Sequence, residues 1–154
     1  MSFKLAPDWD VSEWLNTPAP LTLQELRGRV VLVEAFQMLC PGCVGEALPQ
    51  AKRVASTFDD QDVAVIGLHT VFEHHAAQGG RDALAAFLHE YGITFPVGID
   101  RVSTQLLPIT MAAYKMQGTP TQILIDRNGY LRKQQFGSCE DLKLGAEIMA
   151  LMRE

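Results

Sequence analysis

Cys40 and Cys43 are separated only by Pro41 and Gly42, and they stand between an apolar run and a helical pattern. Two thiols at this spacing have three uses: half of a structural zinc site, a structural disulfide, or a redox pair cycling between dithiol and disulfide. A zinc site needs a second pair of ligands at ligand spacing, and the chain offers only the adjacent His74 and His75. The redox use asks for less. Unpaired backbone N–H groups and the dipole at a helix start stabilise a thiolate there. Cysteines so placed have pKa values of about 3.5 to 7.5, against about 8.5 for a free thiol. The first thiolate attacks a disulfide, and the second closes on the first. Dithiol chemistry is therefore the favoured reading of the pair.

Elements must exist to hold such a pair. Residues 30–36, VVLVEAF, form a short apolar, β-branched run that reads as a buried strand feeding directly into the cysteine loop. Beyond it Val44, Leu48, Ala51, Ala55 and Phe58 fall on one expected helical face. Residues 63–69 read as a second buried strand, and residues 69–80 as a loop closed by a glycine pair. Leu84, Phe87, Leu88 and Tyr91 recur at helical spacing, with Gly92 as a stop. A strand is expected over 95–100, a loop and short helix over 101–115, and a hairpin from 121–126 to 130–136 around the turn RNG. Ser138 is placed to cap a last helix, with Asp141 three residues on. Residues 1–28, with Trp9 and Trp14, read as a partly irregular cover. A β-α-β opening followed by a hairpin and helix implies an α/β sandwich on a mixed sheet.

A chain of 154 residues fits one domain, here 1–154, with enough length for a real core. Its net charge is −5 and its lysines and arginines are scattered, which argues against nucleic acid or an anionic membrane as partner. No apolar run is long enough to span a bilayer. The opening residues lack a signal-peptide pattern, so a cytoplasmic protein is expected, or a periplasmic one if a leader has been removed. Three cysteines do not make a disulfide scaffold.

Three stretches together carry a family resemblance: LTLQELRGRVVLVEAF, LCPGC and GTPTQILIDRNGYLR. In order and spacing they resemble the thioredoxin-fold thiol–disulfide oxidoreductases of the TlpA/ResA-like branch, over roughly residues 15 to 152. The resemblance implies a three-layer sandwich, a mixed central β-sheet flanked by helices. It implies Cys40 as the exposed nucleophile, Cys43 as the resolving thiol, and Pro120 as a cis-proline packed against them. Thr119 then offers backbone groups to an extended substrate, on a rim shared with Leu39, Pro41 and Gly42. Glu34, six residues before Cys40, matches a buried acid able to exchange protons with Cys43; the alternative is a solvent-facing strand residue. The implied partners are protein or small-molecule disulfides and a thiol reductant, with no cofactor and no metal.

The chain also departs from that pattern. Pro49 follows Cys43 by six residues where the family spacing is five, so an extra residue is expected to rotate Glu46, a possible further acid, away from the site. Leu39 stands where thioredoxins carry tryptophan, and the intervening pair is Pro-Gly, which tunes the potential. His69, His74 and His75 read as solvated loop residues or as a specificity surface. Cys139, expected in the first turn of the last helix, is either a third redox thiol or a plain helix-start residue. Two other functions remain open at this level. One is a peroxidase of the peroxiredoxin kind, although Val33 and Gln37 occupy the proline and threonine positions of its motif. The other is a metal-binding module of the same fold.

Overall fold

The computed structural model describes residues 2–104 and 106–154. Its centre is a pair of parallel strands, β2 (Val30–Phe36) and β3 (Val63–His69), in which every residue is buried. Both faces of these strands are covered, which is why they read as continuous apolar runs rather than alternating ones. A mixed sheet grows outward from them. On one side β4 (Val97–Asp100) pairs parallel to β3, and β1 (Val11–Leu15) antiparallel to β4. On the other, β5 (Thr121–Ile125) and β6 (Leu131–Phe136) add antiparallel, giving the order β1-β4-β3-β2-β5-β6. Gly129, with φ of +90°, closes the β5–β6 turn in a conformation that favours glycine.

The side-chain period of two divides β2 between two cores. Val30, Leu32 and Phe36 pack with Cys43 and with residues of α1 (Leu48–Thr57), α3 (Arg81–Glu90) and α5 (Asp141–Met152). Val31, Val33 and Ala35 pack on the opposite face against Leu23, Leu26 and Met111, the last from α4 (Ile109–Ala113). This is the three-layer α/β sandwich that the resemblance implies. Glu34 has the parity of Leu32 and Phe36, so alternation alone directs it to the face that carries Cys43.

Several expectations need correction. The N-terminal cover contains β1, an edge strand of the sheet rather than irregular chain. Its register is broken between Val11 and Glu13, which blurs the alternation. It packs where β4 has no side chain: a Cβ on Gly98 would stand 2.9 Å from both methyls of Val11. β4 begins at Val97, two residues later than expected, after Pro96, which has no N–H for a ladder. The stretch 69–80 is not all loop, since His69 ends β3 and His75–Gln78 forms one turn, α2. α4 stops at Ala113, with Lys115 at φ +54°. Its start is held from β4: the Asp100 carboxylate accepts from the N–H groups of Thr110 (2.8 Å) and Met111 (2.9 Å). Nor does Ser138 cap α5. Glu140 occupies that position without a side-chain bond, and Asp141 instead binds Gln50 and Arg53 of α1. Cys139 therefore precedes the helix rather than lying in its first turn.

Candidate redox site

Cys40 and Cys43 form a disulfide, with Cα atoms 5.2 Å apart. The helix behind them starts at Pro41, whose missing N–H costs nothing at a first helical position. The Cys40 carbonyl accepts the first helical bond, from Val44 N–H (3.1 Å). The next turn, Cys43–Ala47, is a π turn, in which Leu48 N–H reaches back five residues to the Cys43 carbonyl. Pro49 explains the widening. It has no N–H to give, and its ring excludes the carbonyl four residues back, so an extra residue relieves the clash. The added residue shifts the phase of the helix. Cys43, Ala47, Leu48, Ala51 and Val54 are buried, whereas Ala55 is exposed and Val44 only half-buried, contrary to the expected face. Glu46 is exposed, along the cleft that also reaches Glu34.

The two sulfurs are unequal. Cys43 is 0% exposed, while Cys40 is half-buried at the surface beside exposed Leu39, Pro41 and Gly42. Cys43 N–H points at Cys40 Sγ (3.2 Å), the donor that steadies a thiolate there once the disulfide opens. The Thr119 carbonyl oxygen lies 3.5 Å from Cys40 Sγ. The Thr119–Pro120 bond is cis, Pro120 is buried, and Gly42 sits against the proline ring.

Two glutamines that carry no motif hold this geometry. The buried Gln37 donates to Thr119 Oγ1 (3.3 Å) and accepts from Phe72 N–H, Glu73 N–H and the Gln78 amide. Gln78 accepts in turn from Leu39 N–H (3.0 Å). The segment after β3 is thus tied to both walls of the disulfide, and Gln37, at the peroxiredoxin threonine position, is committed to structure. Gln78→Ala leaves the Leu39 N–H and the Glu73 carbonyl without their Gln78 partner and removes one of three donors to Gln37 Oε1. It is expected to cost about 1–3 kcal/mol, seen as a lower urea midpoint at unchanged slope.

Glu34 is 1% exposed, and burial pushes its carboxyl up to about 8. Gln122, its cross-strand neighbour on β5, donates to it at 3.5 Å. Glu34 also lines a cleft of about 500 Å³ with Glu46, Gln50, Gln122, Cys139 and Asp141, so the buried acid is reached from the side of α5. A group that ionises near neutrality, on the face of the sheet that carries Cys43, is suited to moving a proton.

The remaining candidates are dispersed. His69 is not a loop residue but is 1% exposed at the end of β3. It lies against Phe36 with Nε2 unbonded, and burial lowers it to about 4. His74 and His75 are exposed. Cys139 is half-buried, with Lys133 Nζ 3.4 Å from its sulfur. Among the described residues, no group of three or more His, Cys, Asp or Glu side chains is arranged to hold a metal ion.

A thioredoxin-like superfamily protein of known structure is 51% identical, with a TM-score of 0.96 over 99% of this chain and 98% of its own. A thiol-disulfide isomerase from Corynebacterium glutamicum is 47% identical, with a TM-score of 0.91 over 97% of each chain. Protein DipZ of Mycobacterium bovis is 32% identical over 135 residues, 86% of this chain but only 18% of DipZ. The chain thus spans about a fifth of the length of that relative. The thiol-disulfide oxidoreductase ResA of Geobacillus thermodenitrificans is 28% identical over 90% of this chain and 72% of its own. The family model for Redoxin matches residues 4–143, all six strands of the sheet and the cysteine pair with them, and the chain belongs to the Redoxin family, with thioredoxin-like thiol–disulfide oxidoreductases among its homologues.

Proposed function

We propose that the chain is a thiol–disulfide oxidoreductase that reduces protein or small-molecule disulfides and is recharged by a thiol donor. The reading rests on the asymmetry of the pair: an accessible Cys40 sulfur beside the Thr119 carbonyl, and a fully buried Cys43. The Cys40 thiolate attacks one substrate sulfur, the substrate disulfide breaks, and the departing thiolate takes a proton from water. Glu34, as carboxylate, then takes the Cys43 proton. The Cys43 thiolate attacks Cys40 Sγ, the second substrate sulfur leaves, and the Cys40–Cys43 disulfide closes. The substrate gains two electrons, and the protein dithiol loses two. Leu39, Pro41, Gly42 and Thr119 form the rim along which the substrate lies.

Glu34 serves the resolving step in either direction, as acceptor or as donor of the Cys43 proton, so the direction of transfer is set by the potential of the Cys40–Cys43 pair. No helix among the described residues is long and apolar enough to cross a membrane. A glutathione redox titration tests the direction. The expected potential is about −220 mV or lower, on the reducing side of the known range, with measurable reduction of insulin disulfides when a donor is supplied. A potential near about −120 mV would make the protein an oxidant instead.

A further inference from the structure

Four side chains join Glu34 to the surface, and their chemistry leaves one consistent arrangement. Lys133 Nζ lies 3.1 Å from Gln122 Oε1, and an ammonium only donates. At the other end Gln50 Nε2 donates to the Cys139 carbonyl (2.6 Å) and to Asp141 Oδ1 (2.9 Å), both acceptors only. Gln50 must therefore turn its own oxygen inward, where it accepts from Gln122 Nε2 at 2.9 Å. Flipping the Gln122 amide would set its NH2 against the ammonium and its oxygen against the Gln50 oxygen. The remaining Gln122 N–H points at Glu34 Oε2.

We propose that Gln122 is a positioning residue for Glu34, locked by Lys133 and Gln50 so that it presents only N–H to the carboxyl group and thereby sets how readily that group accepts the Cys43 proton. The proposal rests on the reading of Glu34 as the proton acceptor. A donor that cannot turn its oxygen toward the acid supports the carboxylate and gives no partner to the neutral O–H. Charge developing on Glu34 strengthens the bond it accepts. The separation is 3.5 Å, at the long end for such a bond.

Other charges face the same acid. Lys133 approaches from β6, paired with Glu147 of α5 at 2.8 Å. Arg53 of α1 and Asp141 of α5 are bonded to each other at the cleft wall, with Glu46 from the π turn and Glu140 before α5. Cys43 shares the buried face, and β3 contributes only Gly67 in register with Glu34. Lys133 acts on Glu34 through space, in the same direction as the Gln122 bond.

The experiment titrates the Glu34 carboxyl in the oxidised protein by carbon-13 NMR, where neither Cys40 nor Cys43 ionises. Gln122→Met and Lys133→Met are each expected to raise the midpoint by about one unit, leaving about tenfold less carboxylate at neutral pH. In the reduced protein both should slow the resolving step at pH 7 about tenfold while the Cys40 attack keeps its rate. Lys133→Arg, which keeps a donor and a charge, is expected to hold the wild-type midpoint. Should Gln122→Met fail to fold, Lys133→Gln, which removes the charge but keeps a donor for Gln122 Oε1, separates the lock from the charge: a midpoint below that of Lys133→Met supports the lock, and an equal one overturns it. An unshifted midpoint in the folded Met variants overturns the proposal. Glu34→Gln separates the two layers: if the resolving step keeps its pH profile in that variant, the proton-acceptor reading fails. If the profile vanishes there while the Met variants titrate as wild type, only the positioning role falls.

Discussion

Cys40→Ser is expected to form no mixed disulfide with a substrate, whereas Cys43→Ser accumulates as one. The difference follows from burial. A disulfide substrate reaches the half-buried Cys40 sulfur, but Cys43, 0% exposed, lies behind it. The Cys43 N–H aimed at Cys40 Sγ favours the thiolate at that one sulfur. A serine hydroxyl at position 40 does not exchange with disulfides, so turnover stops at the first step. With serine at position 43 the first step proceeds and nothing resolves its product. Non-reducing electrophoresis with mass spectrometry of the adducts checks this, and equal trapping by the two variants would sink the assignment of roles.

Stability is expected to fall by roughly 2 kcal/mol between pH 6.5 and pH 8, and Glu34→Gln to abolish that fall. Burial raises Glu34 from 4.5 to about 8. Between those values the folded protein holds a proton that the unfolded chain has lost. The contribution is therefore complete below about pH 4.5 and is lost as pH rises through 8. Its full span is about 5 kcal/mol. His69 runs the other way. Burial lowers it from 6.5 to about 4, so the unfolded chain takes up a proton first as pH falls. Its contribution is complete above about pH 6.5 and declines by about 3 kcal/mol toward pH 4. The two slopes oppose each other between pH 4.5 and 6.5, and Glu34 acts alone above that window. Urea midpoints of the oxidised protein at pH 5.5, 7.0 and 8.5 decide the matter. A wild-type midpoint that stays level from pH 7.0 to 8.5 would exclude a neutral, buried Glu34.

Much of this was open to reading because it is local. β2 and β3 announce themselves as apolar runs, and the cysteines follow β2 directly. Glu34 is legible as well, since it interrupts such a run with the parity of Leu32 and Phe36. The site's polar framework is not local. Gln122 and Gln50 are 72 residues apart, and Gln37 and Thr119 are 82 apart. A glutamine in a sequence has no feature that separates a buried hub from a surface residue. β1 is hidden for a different reason, as a short edge strand with a broken register. A regular helical period carried across Cys43–Ala47 gives the wrong face, although the offset of Pro49 signals a change there.

That π turn also bears on how the site can be rebuilt or inherited. Insertion of one residue at this point is absorbed within a single turn, so the docked face of α1 keeps its seat while the cysteine turn varies in length. Exchanging only the Pro41-Gly42 dipeptide leaves that frame intact. Grafting a longer segment from a relative without the extra residue would remove the widened turn and swing position 46 about 100° around the helix. Chimaeras across this junction therefore have to be matched by length before they are matched by residue type.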